Sequence, residues 1–296
     1  MRAEKSSSWH IGIIGGSGLA AGIELEGAQE IEVASPFGEP SGPVTTGRIG
    51  DVRMTFIARH GKGHVIPPSK INYRANIDVL KRCGVTDVIS LSAIGSLCEE
   101  MAPGHMVMVD QFIDRTTMRV PSFFDTGLVA HVSMADPTCE RMRGLLGEAA
   151  SLAGGQVHHG GTYVCIEGPQ FSTRAESRMY QSWGAHVIGM TAMPEARLAR
   201  EAELPYAMLG MITDYDCWRE GEEGVEVSHV LEVMHANAEI ARRSIALLAE
   251  RMPAKRSASP IDMSLEHALI TAPSARDGAL IARLDAVACR LLGERG

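Results

Sequence analysis

Aromatic side chains are scarce in this chain of 296 residues: six Phe, five Tyr and three Trp make up 5% of it. The core must therefore be filled by aliphatic and thioether groups, and 16 Met and 31 Gly point to a fold with many tight turns. Basic residues are also short, with 28 Lys and Arg against 36 Asp and Glu for a net charge of -8. This argues against nucleic acid as a partner, since phosphate-backbone binding needs cations in excess on at least one face. No run of 18 apolar residues occurs, and Met1–His10 lacks the apolar stretch of a signal peptide. No membrane contact and a cytoplasmic location are expected. The six cysteines form no C-x-x-C pair, so they read as reduced thiols packed as small hydrophobes.

What is present alternates. Short apolar, β-branched runs occur at Ile11–Ile14, Val52–Ala58, Asp87–Leu91, Met106–Val109, Thr162–Ile166, His186–Met190 and Tyr206–Thr213. Their length and their Gly, Pro or polar boundaries predict core strands. Between them, Tyr73–Cys83, Cys139–Ala153, Arg174–Ser182, Glu195–Glu203 and Val227–Arg251 carry one apolar face at helical spacing. Alternating strands and helices predict an α/β fold with a mostly parallel sheet covered on both faces. Residues 1–253 read as one domain. From 254, Ala-Lys-Arg-Ser-Ala-Ser-Pro reads as a hinge or linker, and Asp277–Leu292 as a final amphipathic helix that must dock on the body or on a neighbouring subunit.

Chemistry-bearing residues gather after these strands, where open α/β sheets place their ligands. Gly15-Gly-Ser-Gly18 is a glycine turn suited to an anion. Gly16-Ser-Gly18-Leu-Ala-Ala21 also satisfies a dinucleotide fingerprint, but Ser35–Pro40 is turn material where that fold wants a second strand and an acid. Arg59 and His60 lie side by side after the second run, a donor fork and an imidazole that suit an oxyanion. Metal ligation by His60 and His64 is disfavoured by the glycines at 61 and 63. Ser92 and Ala93 sit among small residues that admit a ligand to the backbone. Phe171 offers a flat face after Gly168-Pro169, and Ser172 and Thr173 precede a helix start. Asp214 and Asp216, two apart in extended chain, share one face and can hold one proton between them.

GGSG, ARHGKGHVIPPSKINYRANI, SAIGSL, DQFIDRTTMR, IEGPQFSTRAES, MTAMPEARLAREAELPYA and TDYDCW occur in this order. Together they resemble the trimeric purine nucleoside phosphorylases over about Ile11 to Arg251, most of all the members acting on 5'-methylthioadenosine. The resemblance implies a single α/β domain whose mixed sheet is partly closed into a barrel, a homotrimer, and no metal or organic cofactor. It implies reversible phosphorolysis of 5'-methylthioadenosine to adenine and 5-methylthioribose 1-phosphate, with inorganic phosphate as co-substrate. It further implies phosphate binding by Ser17, Arg59, His60, Ser92, Ala93 and Thr191. Phe171, Ser172 and Met190 are implied at the base and sugar. Asp214 and Asp216 would face N7 and the 6-amino group, Val227, Val230 and Leu231 the methylthio group, and His131 would come from a neighbouring subunit. The alternatives are a 6-oxopurine nucleoside phosphorylase, which would carry Asn at the N7-facing position, and a non-catalytic nucleoside-binding protein.

Overall fold

The computed structural model describes residues 8–16, 22–219 and 227–292, with the side chains of 227–232 outside that description. Its centre is the strand β5, Asp87–Ser96, buried at every position except Ala93. Along one edge β5 pairs in parallel with β1 (His10–Gly15) and then, where β1 stops, antiparallel with β10 (Val187–Gly189). Along the other it pairs in parallel with β11 (Tyr206–Asp214) from Val88 to Gly95. One strand therefore serves three neighbours.

Beyond β1 the sheet continues through β4 (Val52–Ala58), β3 (Val44–Ile49) and β2 (Glu26–Ile31). Beyond β10 come β9 (Thr162–Ile166) and β7 (Gln111–Arg115), and beyond β11 come β6 (Met106–Val109) and β8 (Val157–His159). Of the ten pairings six are parallel, so the sheet is mixed with a parallel centre. Among the described residues no hydrogen-bonded ladder closes it into a barrel. The first described strand after β1 is β2, which pairs antiparallel with β3, not the parallel second strand a dinucleotide fold requires.

Side-chain alternation divides the core. On β11, Ala207, Leu209 and Met211 join Met142, Leu146, Ala241, Ile245 and Leu248 of α2 (Glu140–Leu152) and α5 (Val227–Arg251). Tyr206, Met208 and Ile212 face the opposite way. There they meet Ile77 and Leu80 of α1 (Tyr73–Arg82) and Leu198 of α4 (Glu195–Glu201). A third cluster sets Tyr180 of α3 (Arg174–Ser182) against Val164, Ile166 and Ile188. Methionine fills the places that aromatics would take elsewhere.

Two expectations change at the C-terminus. The segment read as a hinge is pinned: Arg256, its side chain only 5% exposed, pairs with Asp87 at the foot of β5 and with Asp262, and the Ser259 hydroxyl accepts from the Ile261 amide. The final helix is broken into α6 (Gly278–Arg283), capped by Asp277, and α7 (Cys289–Leu292). Residues 284–288 run as turns because Leu284, Val287 and Ala288 are buried on an irregular surface of the body, which overrides helical propensity. No described helix is long and apolar enough to cross a membrane.

Asp87 is fully buried and paired with both Arg141 and Arg256. Replacing it with Asn should cost about 3 kcal/mol, the low end for breaking a buried ion pair because Asp262 still holds Arg256. Urea unfolding measures this, and a loss below about 1 kcal/mol would mean that the network is incidental.

Candidate active site

The carboxyl ends of the inner strands open a cleft. Partial exposure appears at Gly16, Ala58, Ala93, Gly189, Met190 and Asp214, each flanked by buried residues of its own strand or strand end. The antiparallel register of β10 on β5, with Ile188 opposite Gly95, carries the chain back so that Thr191 reaches Ser92. Their hydroxyls stand 3.3 Å apart. The Thr191 amide donates to the Tyr163 hydroxyl at 3.3 Å.

Arg59 is 1% exposed and follows β4 directly. Its Nε donates to Glu195 Oε2 at 2.9 Å and its Nη2 to Glu195 Oε1 at 3.2 Å. Burial works against the cation, but the Glu195 carboxylate outweighs it and holds the guanidinium pKa above its ordinary value. The donor fork that the sequence offered to an anion is thus closed on Glu195, the first residue of α4. His60 also differs from expectation. Its Nδ1 lies 2.8 Å from the Ile66 carbonyl, an acceptor only, so Nδ1 carries the hydrogen and Nε2 of the neutral ring is an acceptor. Burial first, and then Arg59 and the stacked His64, push the His60 pKa down to about 4 against the pull of that carbonyl.

A bulge between Ile212 and Asp214 ends the β11 ladder and re-aims the chain. Asp214 accepts from the Thr213 hydroxyl at 2.7 Å and from the Asp216 amide at 2.8 Å. Asp216 takes a left-handed backbone (φ 52°), which Asp tolerates better than most residues, and the Ser177 hydroxyl donates to its carboxylate. Burial raises the Asp216 pKa, and the neighbouring Asp214 carboxylate adds to the rise against the Ser177 bond. Gly95 makes room for the pair: a Cβ there would come within 2.9 Å of Asp214 Oδ1 and 3.0 Å of Ile188. Ser177 reaches Asp216 because α3 starts on a capping box between Thr173 and Glu176.

Phe171 is 47% exposed, and the Ser172 hydroxyl oxygen is buried with no partner among the described residues. Gly168 (φ 68°) lets the Met190 sulfur approach to 2.5 Å from where a Cβ would stand. Arg119 fastens these strand ends: Nη1 donates to the carbonyl of Met190 at 2.7 Å and to the Tyr73 hydroxyl at 3.0 Å, Nη2 to the Glu167 carbonyl at 2.8 Å. Sequence reasoning missed Arg119, Ser177 and Glu195, because only folding brings them to the cleft. Ser17 lies outside the described residues, as do the side chains of Val227, Val230 and Leu231. His131 is exposed, and its amide donates to the Ala268 carbonyl of the C-terminal segment.

His60 is ordinarily protonated near pH 6.5 once unfolded, but only near pH 4 in the fold. Below pH 6.5 the unfolded chain therefore binds more protons, and the stability that the neutral ring contributes above pH 6.5 is lost as pH falls toward 4. Urea midpoints measured across this window should fall, with a shallower slope in His60→Asn. An unchanged slope would contradict the assignment.

Residues 10–252 match the family model described as Phosphorylase superfamily. The S-methyl-5'-thioadenosine phosphorylase of Cereibacter sphaeroides is 54% identical over 284 residues, covering 95% of this chain and 98% of that one. The enzyme of the same name from Bradyrhizobium diazoefficiens is 55% identical with the same coverage. The crystal structure of a methylthioadenosine phosphorylase from an antarctic soil metagenomic library superposes with a TM-score of 0.89 at 43% identity, over 95% of this chain and 99% of that one. Methylthioadenosine phosphorylase from Schistosoma mansoni in complex with adenine gives 0.77 at 37%, over 82% and 91%. By sequence and by fold, this chain belongs to the phosphorylase superfamily.

Proposed function

We infer that the chain catalyses the reversible phosphorolysis of 5'-methylthioadenosine, a pentosyl transfer that yields adenine and 5-methylthioribose 1-phosphate. One observation carries the reading. The strand end of β5 brings the hydroxyls of Ser92 and Thr191 within 3.3 Å of each other, with the carboxylate pair Asp214 and Asp216 beside Gly95 of the same strand, in a chain whose relatives are named methylthioadenosine phosphorylases.

In the forward direction a phosphate oxygen bonds to the sugar C1' as the bond from C1' to N9 breaks. The electron pair of that bond goes to the purine. A proton delivered to N7 lets adenine leave as a neutral molecule, a contribution of about 10²–10⁴-fold when a side chain supplies it. Asp216, buried and with its pKa raised, is the better store of that proton. Asp214 is the more exposed of the two, and each of its oxygens accepts a hydrogen bond. It is the one to meet the base. A carboxylate accepts from a 6-amino group but repels a 6-oxo group, so adenine is preferred.

Phosphate is held by Ser17, Ser92, Thr191, the Ala93 backbone and one hydrogen of Arg59. His60 Nε2 accepts the hydroxyl hydrogen of monohydrogen phosphate, which suits its neutral state. Bound phosphate supplies both the nucleophile and a negative charge under the developing sugar cation. Phe171 and Ser172 take the base, the latter with a hydroxyl that has no partner among the described residues, and Met190 lies against the sugar. Val227, Val230 and Leu231 take the methylthio group. The chemistry needs neither metal nor organic cofactor.

The active unit is a homotrimer in which His131 reaches a neighbour's site. Support comes from Val129 and Ile270, 41% and 60% exposed beside the bridge of Ala130 to Leu269 next to His131, together with the exposed Met118 and Val120 earlier in the chain. Residues 1–253 form the phosphorylase domain and 254–296 an extension laid on it, inside the cytoplasm. Sedimentation at micromolar concentration should give three times the chain mass, and a monomer that turns over would remove His131 from the site.

Specificity constants with phosphate should rank methylthioadenosine above methylthioinosine and inosine. A preference for inosine above about tenfold, roughly 1.4 kcal/mol, would overturn the base assignment. Asp214→Asn should lower methylthioadenosine turnover by about 100-fold or more and relax the ranking toward 6-oxopurines. An unmoved ranking would mean that Asp214 does not read the base.

A further inference from the structure

The Arg59 guanidinium has five hydrogens to place. Nε and Nη2 lie on the two oxygens of Glu195, Nη2 also reaches the Ser90 hydroxyl at 2.6 Å and the Ile14 carbonyl at 3.3 Å, and Nη1 reaches the Leu91 carbonyl at 3.3 Å. Three acceptors crowd Nη2, whereas one of the two Nη1 hydrogens has no acceptor among the described residues. Its neighbour on Nη1 is fixed to Leu91, the residue immediately before Ser92.

Glu195 is itself held. Its Oε1 accepts from the Tyr206 hydroxyl at 2.9 Å, its side chain is 2% exposed, and it sits in the first turn of α4, where the helix dipole favours an anion. Tyr206 in turn is buried in β11, beside β5. The carboxylate therefore has no alternative partner in water and no freedom to swing.

We propose that Glu195 is a positioning residue for the phosphate co-substrate: by taking the Nε and Nη2 edge of Arg59, it turns the guanidinium so that the remaining Nη1 hydrogen is presented beside Ser92. The proposal rests on the reading of Arg59 as a phosphate ligand. A Gln at 195 has the shape of Glu but sets an NH2 against one of the guanidinium N–H groups, donor against donor. The fork must then rotate to find other acceptors, and the Nη1 hydrogen leaves its place. Because Glu195 touches Arg59 and Tyr206 and makes no hydrogen bond to the base-side residues, the loss falls on phosphate and spares the nucleoside.

Steady-state phosphorolysis of methylthioadenosine, with each substrate varied in turn, tests this. E195Q should raise the KM for phosphate by about tenfold or more and leave the KM for methylthioadenosine within about twofold. Y206F removes only the hydroxyl that steadies Oε1 and should raise the phosphate KM by about twofold to fivefold; it decides the matter if E195Q does not fold. R59A should raise the phosphate KM at least as far, and R59A/E195Q should be no worse than R59A alone, since Glu195 acts through Arg59. An unchanged phosphate KM in R59A would sink the phosphate reading of Arg59 itself. If R59A raises that KM while E195Q or Y206F leaves it unchanged, lowers it, or moves both KM values together, Glu195 has a structural or charge-damping role and the positioning proposal is overturned.

Discussion

The whole site depends on β5 having more neighbours than a strand ordinarily serves. Because β1 ends level with the middle of β5 and β10 takes over the vacated edge in the opposite direction, chain ends arrive at the same place from several directions. Loops at that junction hold phosphate-binding and base-binding candidates within one cleft, and Ala93 is the single point where β5 itself is open to it. Every other position of the strand is buried, so the cleft has a floor of main chain whose geometry is fixed by pairing on both sides.

A fold so poor in aromatics uses buried arginine where others use ring stacking. Arg59 joins the end of β1 and the middle of β5 to α4, Arg119 joins the ends of β9 and β10 to α1, and Arg256 joins the foot of β5 to the C-terminal segment. Each guanidinium reaches several acceptors that come from different parts of the chain, which a planar five-donor group does better than any other side chain. Each also carries its own carboxylate partner, so the charges are balanced locally where desolvation would otherwise be costly. The acid and base inventory of the sequence is therefore mostly architectural. Asp214 and Asp216 accept instead from hydroxyls and an amide, as the buried Glu201 does from Ser122 and Phe123.

Legibility followed burial. β4, β6, β9, α3 and α5 lie where the apolar pattern placed them, since each is a continuous apolar run or an amphipathic stretch with a distinct start, such as the Thr173 box of α3. β2 is exposed at all six positions and β8 has three residues, so neither carries a hydrophobic period to read. The broken helix after 277 had the right period but the wrong continuity, because burial of Leu284 and Val287 against the body decided its path. For the cleft, residues next to a strand end could be found along the chain. Glu195 could not, since its partner Arg59 lies 136 positions away, and an acid after a proline looks like any helix start.

The C-terminal segment enters the same core as the first strand. Ile14 and Val287 belong to one cluster that also includes Ile77, Val88 and Tyr206. A ribosome therefore has to release the chain through Ala288 before Leu284, Val287 and Ala288 can complete that cluster, and until then the part of the core that they cover stays open, although α1 and α4 can already pack on it. Such late closure leaves apolar surface exposed during synthesis, the interval in which chains with long-range topology are most prone to associate with one another.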